Sequence, residues 1–278
     1  MGLERNKESR ILMAKTPLSA QVKSILDEHG YVHCTDLPWG KCLYRDFKGL
    51  EVAKVSSNEI GMNLIRSEAK GLALIARFLS DAVNLPKGAL VLDTPDGVIL
   101  KMSRVDGVPA SKWVGNVVEL TPLLAQAQRT ERLVDVMAKE AVDSALSQQL
   151  VRRFGDIKIT TTPSHGDFIY WNVLVGGKQP SLVDFEYTSE CRVIGFDDLH
   201  YRLAPWMYRW IRWSLPEQLL IWWGLRQARF VCRQNHLSMD PKLLLAMFFV
   251  HWAAIRRRWH PKFRPRRVEC IERWATQI

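Results

Sequence analysis

The chain has 278 residues and is 47% hydrophobic, enough to build one large domain or two modest lobes around a sizeable core. Its formal net charge of +10 attracts anions and repels polycations, which leaves ATP, nucleic acid, an anionic glycolipid and a membrane surface as candidate partners. No apolar run reaches the ~18 residues of a membrane span, the N-terminus shows neither a secretory nor a myristoylation pattern, and five scattered cysteines without C-x-x-C read as reduced thiols of a cytosolic protein.

Residues 1–30 read as a polar lead-in with one short amphipathic helix (Val22, Ile25, Leu26) ended by Gly30. His29 and His33 have the spacing of helical metal ligands. Gly30 separates them and no third ligand is evident, so the pair is not read as a metal site. From Tyr31 to Val55 the pattern turns to strands. Pro38-Trp39-Gly40 and Lys48-Gly49 are turns, Cys42 to Phe47 is a strand, and Leu50 to Val55 alternates as a half-buried strand does. Lys54 then stands mid-strand among apolar neighbours, where an ammonium needs a partner. A helix follows over about Ser57 to Ser80, with Ile60, Leu64, Ile65, Leu72, Ile75 and Leu79 on its apolar face and Glu68 within it. Ala89 to Leu92 and Val98 to Met102 form two more strands around Thr94-Pro95-Asp96-Gly97.

Val105 to Pro109 breaks the pattern, and a lobe boundary is expected here, giving lobes of 1–104 and 105–278. Residues 110–155 read as mostly helical. The chain beyond Pro205 reads as helical and tryptophan-rich, with Leu243 to Ile255 a buried helix.

Between these helical regions lies the stretch Ser164-His165-Gly166-Asp167 to Asn172-Val173-Leu174-Val175, followed by Leu182-Val183-Asp184-Phe185-Glu186. Asn172 follows Asp167 by five residues, and Asp184 follows it by seventeen. This is the layout of a kinase catalytic loop and metal-binding loop. Phosphoryl transfer to a hydroxyl needs a carboxylate to orient the acceptor and take its proton, the expected role of Asp167. It also needs hard oxygen ligands for magnesium, which Asn172 and Asp184 supply. A strand lysine paired with a helix glutamate, Lys54 with Glu68, completes the set.

These residues resemble the aminoglycoside phosphotransferase and choline kinase family of the protein-kinase-like superfamily, from about Gly40 to Pro205. The family's H-G-D-x-x-x-x-N motif appears as His165, Gly166, Asp167 and Asn172, its D-x-[DE] metal motif as Asp184 and Glu186, its strand lysine as Lys54 and its helix glutamate as Glu68. The resemblance implies an α+β, two-lobed protein-kinase-like fold: a small N-lobe with an antiparallel sheet and one helix, and a larger, mostly helical C-lobe. It implies ATP in the crevice, bordered by Gly40 and Met102 and contacted by Lys54, with magnesium held by Asn172, Asp184 and Glu186. It also suggests Asp198 as the support of the catalytic loop, with Asp197 competing for that role. Protein kinases carry arginine where Gly166 stands. Its absence, with no A-P-E signature and no G-x-G-x-x-G, argues for a small-molecule kinase.

The acceptor is read from charge. Like charges at ~4 Å repel by about 4 kcal/mol at an effective dielectric near 20. After Glu186 the acids are few and the arginines many, so an anionic acceptor ranks above a cationic one. A phosphorylated sugar or a lipopolysaccharide core sugar, met at the cytoplasmic membrane face, suits this charge. Aminoglycoside or choline-type kinase is the alternative, and a kinase-like binding protein without catalysis is the alternative of another class. The run Arg256 to Arg267 interleaves cations with aromatics and prolines, and is expected to meet anionic membrane. No recognised nucleic-acid module accompanies it, which places nucleic acid behind these partners.

Overall fold

The computed structural model describes residues 17–79, 81–110, 118–140, 145–213 and 216–259. The basic run Arg256 to Arg267 lies outside the described residues, apart from the backbone of its first members in the last helix.

The N-terminal part is a five-stranded antiparallel sheet between two helices. Helix α1 (Ala20–Glu28) starts where the Ser19 hydroxyl accepts from Val22 N–H, and it is followed by Gly30 at φ 65°. Strands β1 (Tyr31–Leu37), β2 (Lys41–Asp46), β3 (Glu51–Ser56), β4 (Gly88–Thr94) and β5 (Gly97–Ser103) order as β1-β2-β3-β5-β4. Helix α2 (Glu59–Leu79) covers the other face. The period of two sorts the side chains. Ala53, Val55 and Ile99 pack on Val22 and Leu26 of α1. Val98, Leu100 and Met102 pack on Met62, Ile65, Leu72 and Ile75 of α2. Lys54 falls on the α2 side, which is how a strand lysine comes to face a helix glutamate.

The C-terminal part is mostly helical. Its strands are β6 (Val108–Pro109), β7 (Arg129–Arg132), β8 (Lys158–Ser164), β9 (Val173–Val175), β10 (Ser181–Leu182) and β11 (Ser189–Val193). They form two small antiparallel sheets, β10-β9-β6 and β11-β8-β7. The helices are α3 (Leu120–Leu123), α4 (Leu133–Lys139), α5 (Ala145–Phe154), α6 (Phe196–Trp213), α7 (Glu217–Gln234) and α8 (Pro241–Trp259). None among the described residues is long and apolar enough to cross a membrane. Strand β7 departs from the helical expectation for residues 110–155. Its sequence, Arg-Thr-Glu-Arg, has no apolar alternation, and it is a strand because it pairs with β8.

The large core joins Phe196, Leu199 and Leu203 of α6 to Val231 of α7 and to Leu244, Phe248, Phe249 and Trp252 of α8. His251 is buried within it, 3.6 Å from Glu140 and edge-on to Phe196. Burial pushes its pKa down to about 4, against the pull of Glu140. The unfolded imidazole takes a proton at its ordinary value, so between about pH 6.5 and pH 4 the unfolded chain binds more protons and stability falls as pH falls. Removing this group should flatten the acid limb. In urea unfolding from pH 7 to pH 4, His251→Gln is expected to lose on the order of 3 kcal/mol less stability than the unsubstituted chain.

Candidate active site

The β9–β10 pairing builds the centre of the site. Leu182 lies opposite Val173, and Val183 N–H donates to the Asn172 carbonyl at 3.1 Å. Asn172 and Asp184 therefore flank the same hairpin end. The Asn172 Nδ2 donates to the Asp167 backbone carbonyl at 2.9 Å and to its carboxylate at 3.2 Å. Asp167 and Asn172 are thus one unit, both buried.

Lys54 reaches this centre from β3. Its Nζ donates to Glu68 Oε1 at 2.6 Å, to Oε2 at 2.8 Å and to Asp184 Oδ1 at 2.7 Å. Asp184 adopts φ 70°, a left-handed conformation that a non-glycine residue keeps only when its surroundings hold it there. Burial pulls the Lys54 pKa down, but Asp184 and Glu68 outweigh it and raise the value. Burial lifts Asp184, yet Lys54 and Lys41 overcome that and hold it at about 2. Burial raises Glu68 against its ion pair with Lys54. Glu68, Asp184 and Glu186 each bring a carboxylate oxygen within 4.8 Å of the others. These hard oxygens, with the Asn172 amide oxygen, fit magnesium.

A cavity of about 460 Å³ opens over these groups. Lys54, Glu68, Met102, Asn172, Asp184 and Glu186 all line it. Gly40 does not. It sits at φ 66° in the covering turn and accepts from the Ser56 hydroxyl, while Leu37, Pro38, Trp39 and Lys41 around it face the cavity. Asp167 is bonded to Asn172, which lines the cavity.

Two residues of the site escaped the sequence reading. Lys41 opens β2, is buried, and pairs with Glu186. Its signal was a lysine directly after the Pro38-Trp39-Gly40 turn. The second is His200 of α6, buried with Nε2 3.9 Å from Asp167. Between Asp197 and Asp198 the expectation is corrected. Asp197, the competing candidate, and not Asp198, holds the His165–Asp167 loop: its carboxylate accepts from His165 N–H at 2.7 Å, Gly166 N–H at 2.9 Å and the Ser164 hydroxyl at 3.1 Å. Asp198 points the other way and accepts from Leu120 and Thr121 N–H at the start of α3. Burial lifts its pKa to about 6 despite those donors. On a helix, Asp197 and His200 are three apart and share the face toward the loop, a spacing legible once α6 is placed.

Gly166 has φ 84°, and a Cβ there would stand 2.0 Å from the Tyr187 carbonyl oxygen. A guanidinium comes instead from β11: Arg192 donates to Ser164 Oγ at 3.2 Å and pairs with Glu140. Gly166→Ala combines a left-handed conformation with a backbone overlap, and is expected to cost about 2–4 kcal/mol. The urea midpoint checks this, and a wild-type midpoint would count against the loop geometry described.

No family model matches the chain, and no curated protein does. Solved structures do. A thermostable mutant of aminoglycoside phosphotransferase APH(4)-Ia in ternary complex with ADP and hygromycin B aligns with TM-score 0.55 and 14% identity, over 93% of this chain and 96% of that one. Another crystal structure of APH(4)-Ia aligns with TM-score 0.54 and 13% identity, over 92% and 95%. A ternary complex of its thermostable mutant with AMP-PNP and hygromycin B gives 0.52 and 14%, over 93% and 96%. At such identity the likeness is one of fold, and the chain has the two-lobed, protein-kinase-like fold of the aminoglycoside phosphotransferases.

Proposed function

We propose that the chain is an ATP- and magnesium-dependent phosphotransferase that moves the γ-phosphate to a hydroxyl of a small molecule or glycoconjugate. The observation that carries this reading is that Lys54 bonds both Glu68 and Asp184 in the cavity that Asn172 also lines, while Asn172 bonds Asp167. Lys54, fixed by Glu68, meets the α- and β-phosphates. Asn172, Asp184 and Glu186 would hold magnesium, which when bound would neutralise phosphate charge. Asp167, braced by Asn172 and His200, orients the acceptor hydroxyl and takes its proton as the oxygen bonds to phosphorus. Most of the catalysis is positioning and fixed charge, where orientation alone contributes up to ~7–11 kcal/mol.

An anionic or sugar acceptor, such as a lipopolysaccharide core sugar, fits the charge of the chain. From Gln218 to Gln234, α7 contains no acid. Its exposed side chains include Arg226, Arg229 and Arg233 among Trp222 and Phe230. The second reading, a cationic aminoglycoside acceptor, is favoured by the solved structures of this fold that hold hygromycin B.

Asp167→Asn keeps the shape of the loop and removes the proton acceptor. It is expected to lower kcat by about 10²–10⁴-fold while ATP still raises Tm as in the unsubstituted chain. An unchanged kcat would remove Asp167 from its role. Acceptor class is tested with labelled ATP against anionic sugars, lipopolysaccharide precursors, choline and aminoglycosides. Transfer to the anionic acceptors is the expected result, and transfer to aminoglycosides alone would reverse the ranking.

A further inference from the structure

The outer face of the β1–β2 hairpin, away from the cleft, gathers His33, Asp36 and Cys42. One donor atom of each lies within 4.8 Å of the other two. The partner that spacing offered His33 was His29, on the far side of Gly30. A β-bulge supplies better ones. Residues three apart on a regular strand point to opposite faces. The register of β1 on β2 shifts between His33 and Thr35, with Cys34 as the extra residue. That extra residue turns His33 and Asp36 to one face, and His33 Nε2 stands 2.9 Å from Asp36 Oδ1. Cys42 is opposite Asp36 in the register, with its Sγ 3.6 Å from the same oxygen. Tyr44, opposite His33, sets its ring edge-on to the imidazole at 5.2 Å.

Around tetrahedral zinc, ligand atoms bound at about 2.0–2.3 Å lie about 3.3–3.6 Å from one another. The sulfur-to-oxygen separation already has that value, and the nitrogen-to-oxygen one is short by about half an ångström. We propose that His33, Asp36 and Cys42 form a zinc site, with a fourth position open to water. A thiolate and an imidazole select zinc over magnesium or calcium. On binding, Cys42 releases its thiol proton to solvent, His33 ligates through Nε2 with its proton on Nδ1, and Asp36 exchanges its contact with His33 for the metal. The side chains of His33 and Asp36 are 42% and 28% exposed, so an ion has access.

The position gives the site a consequence. Asp36 is two residues before Pro38 and Cys42 two after Gly40, so the ion ties both roots of the turn that covers the cavity. Lys41 and Leu43, beside Cys42 on β2, line that cavity from the opposite face. The proposal holds whether or not the cleft transfers phosphate.

The test uses the full chain, freed of metal by a chelator and titrated with Co²⁺, then with Zn²⁺ in competition. Expected are a thiolate-to-cobalt charge-transfer band at one cobalt per chain and its loss when zinc is added. The band should vanish in Cys42→Ser and persist in Cys34→Ser, whose thiol is exposed nearby. Loss of a group that merely supports a metal ligand costs about 10–100-fold in affinity, so His33→Ala is expected to weaken zinc binding at least about 100-fold. Zinc should raise the Tm of the unsubstituted chain and leave that of Cys42→Ser unchanged. A missing band, a band that survives in Cys42→Ser, or equal Tm rises in both proteins would each overturn the assignment.

Discussion

Two lysines and three carboxylates share the floor and wall of one cavity: Lys41, Lys54, Glu68, Asp184 and Glu186. Removing such charges from water costs several kcal/mol per ion, and only close pairing offsets it. The pairing here is close, with Lys54 bonded to both oxygens of Glu68 and to Asp184, and Lys41 to Glu186. The set retains one more negative than positive charge, concentrated around Asp184 and Glu186. That is an electrostatic opening for a divalent cation. Asp184, with 31% of its side chain exposed, is the member turned toward the open cleft. Its side chain is held by the Lys54 contact that also lowers its pKa.

The lobes are joined through α2. Its apolar face packs on the sheet through Val98, Leu100 and Met102, and the same cluster continues into Phe168, Val173, Leu182 and Phe185 of the C-terminal part. Close approach is possible because Gly71 has no side chain. A Cβ there would stand 2.5 Å from the Phe185 carbonyl oxygen and 2.6 Å from Thr188. The helix backbone therefore rests on the loop that carries Asp184 and Glu186. Glu68, three residues earlier on α2, reaches Lys54 from this position. A bulkier residue at 71 would part the helix from the loop and stretch the ion pair at the same time.

The parts of this arrangement that depend on local spacing were legible in the sequence. The strands around Lys54, the helix around Glu68 and the two loops follow from alternation, apolar period and fixed offsets. Lys41 and His200 were not legible in the same way, and Asp197 only as one of two neighbouring candidates. Each is defined by what it meets across the fold. Lys41 pairs with a residue 145 positions away, and Asp197 bonds a loop about 31–33 positions earlier. Choosing between Asp197 and Asp198 needed the rotation of α6, because adjacent helical residues point about 100° apart. The β7 strand was hidden for a related reason: its charges carry no period, and only its pairing with β8 makes it a strand.

The fold constrains the cavity residues and the exposed face of α7 to different degrees. Lys54, Glu68, Asn172 and Asp184 are fixed by sheet pairing, by α2 and by the β9–β10 hairpin, elements that pack into one shared core. Asp167 and its supports belong to the same framework through Asp197. The exposed face of α7 is under no such constraint. There Arg226 lies 5.9 Å from the Trp222 ring centroid and 5.7 Å from that of Trp223, and Arg202 of α6 lies 4.0 Å from that of Phe230. Arg202 is half-buried and meets Glu119 at 3.5 Å, whereas Arg226 is exposed and stacked on its rings, which leaves its guanidinium edge open to phosphate or carboxylate oxygens. Glu217 is the only acid in the α7 sequence, against Arg226, Arg229 and Arg233. Such a face suits a ligand that carries both an anionic group and an apolar ring, which is the physical basis of the proposed acceptor ranking.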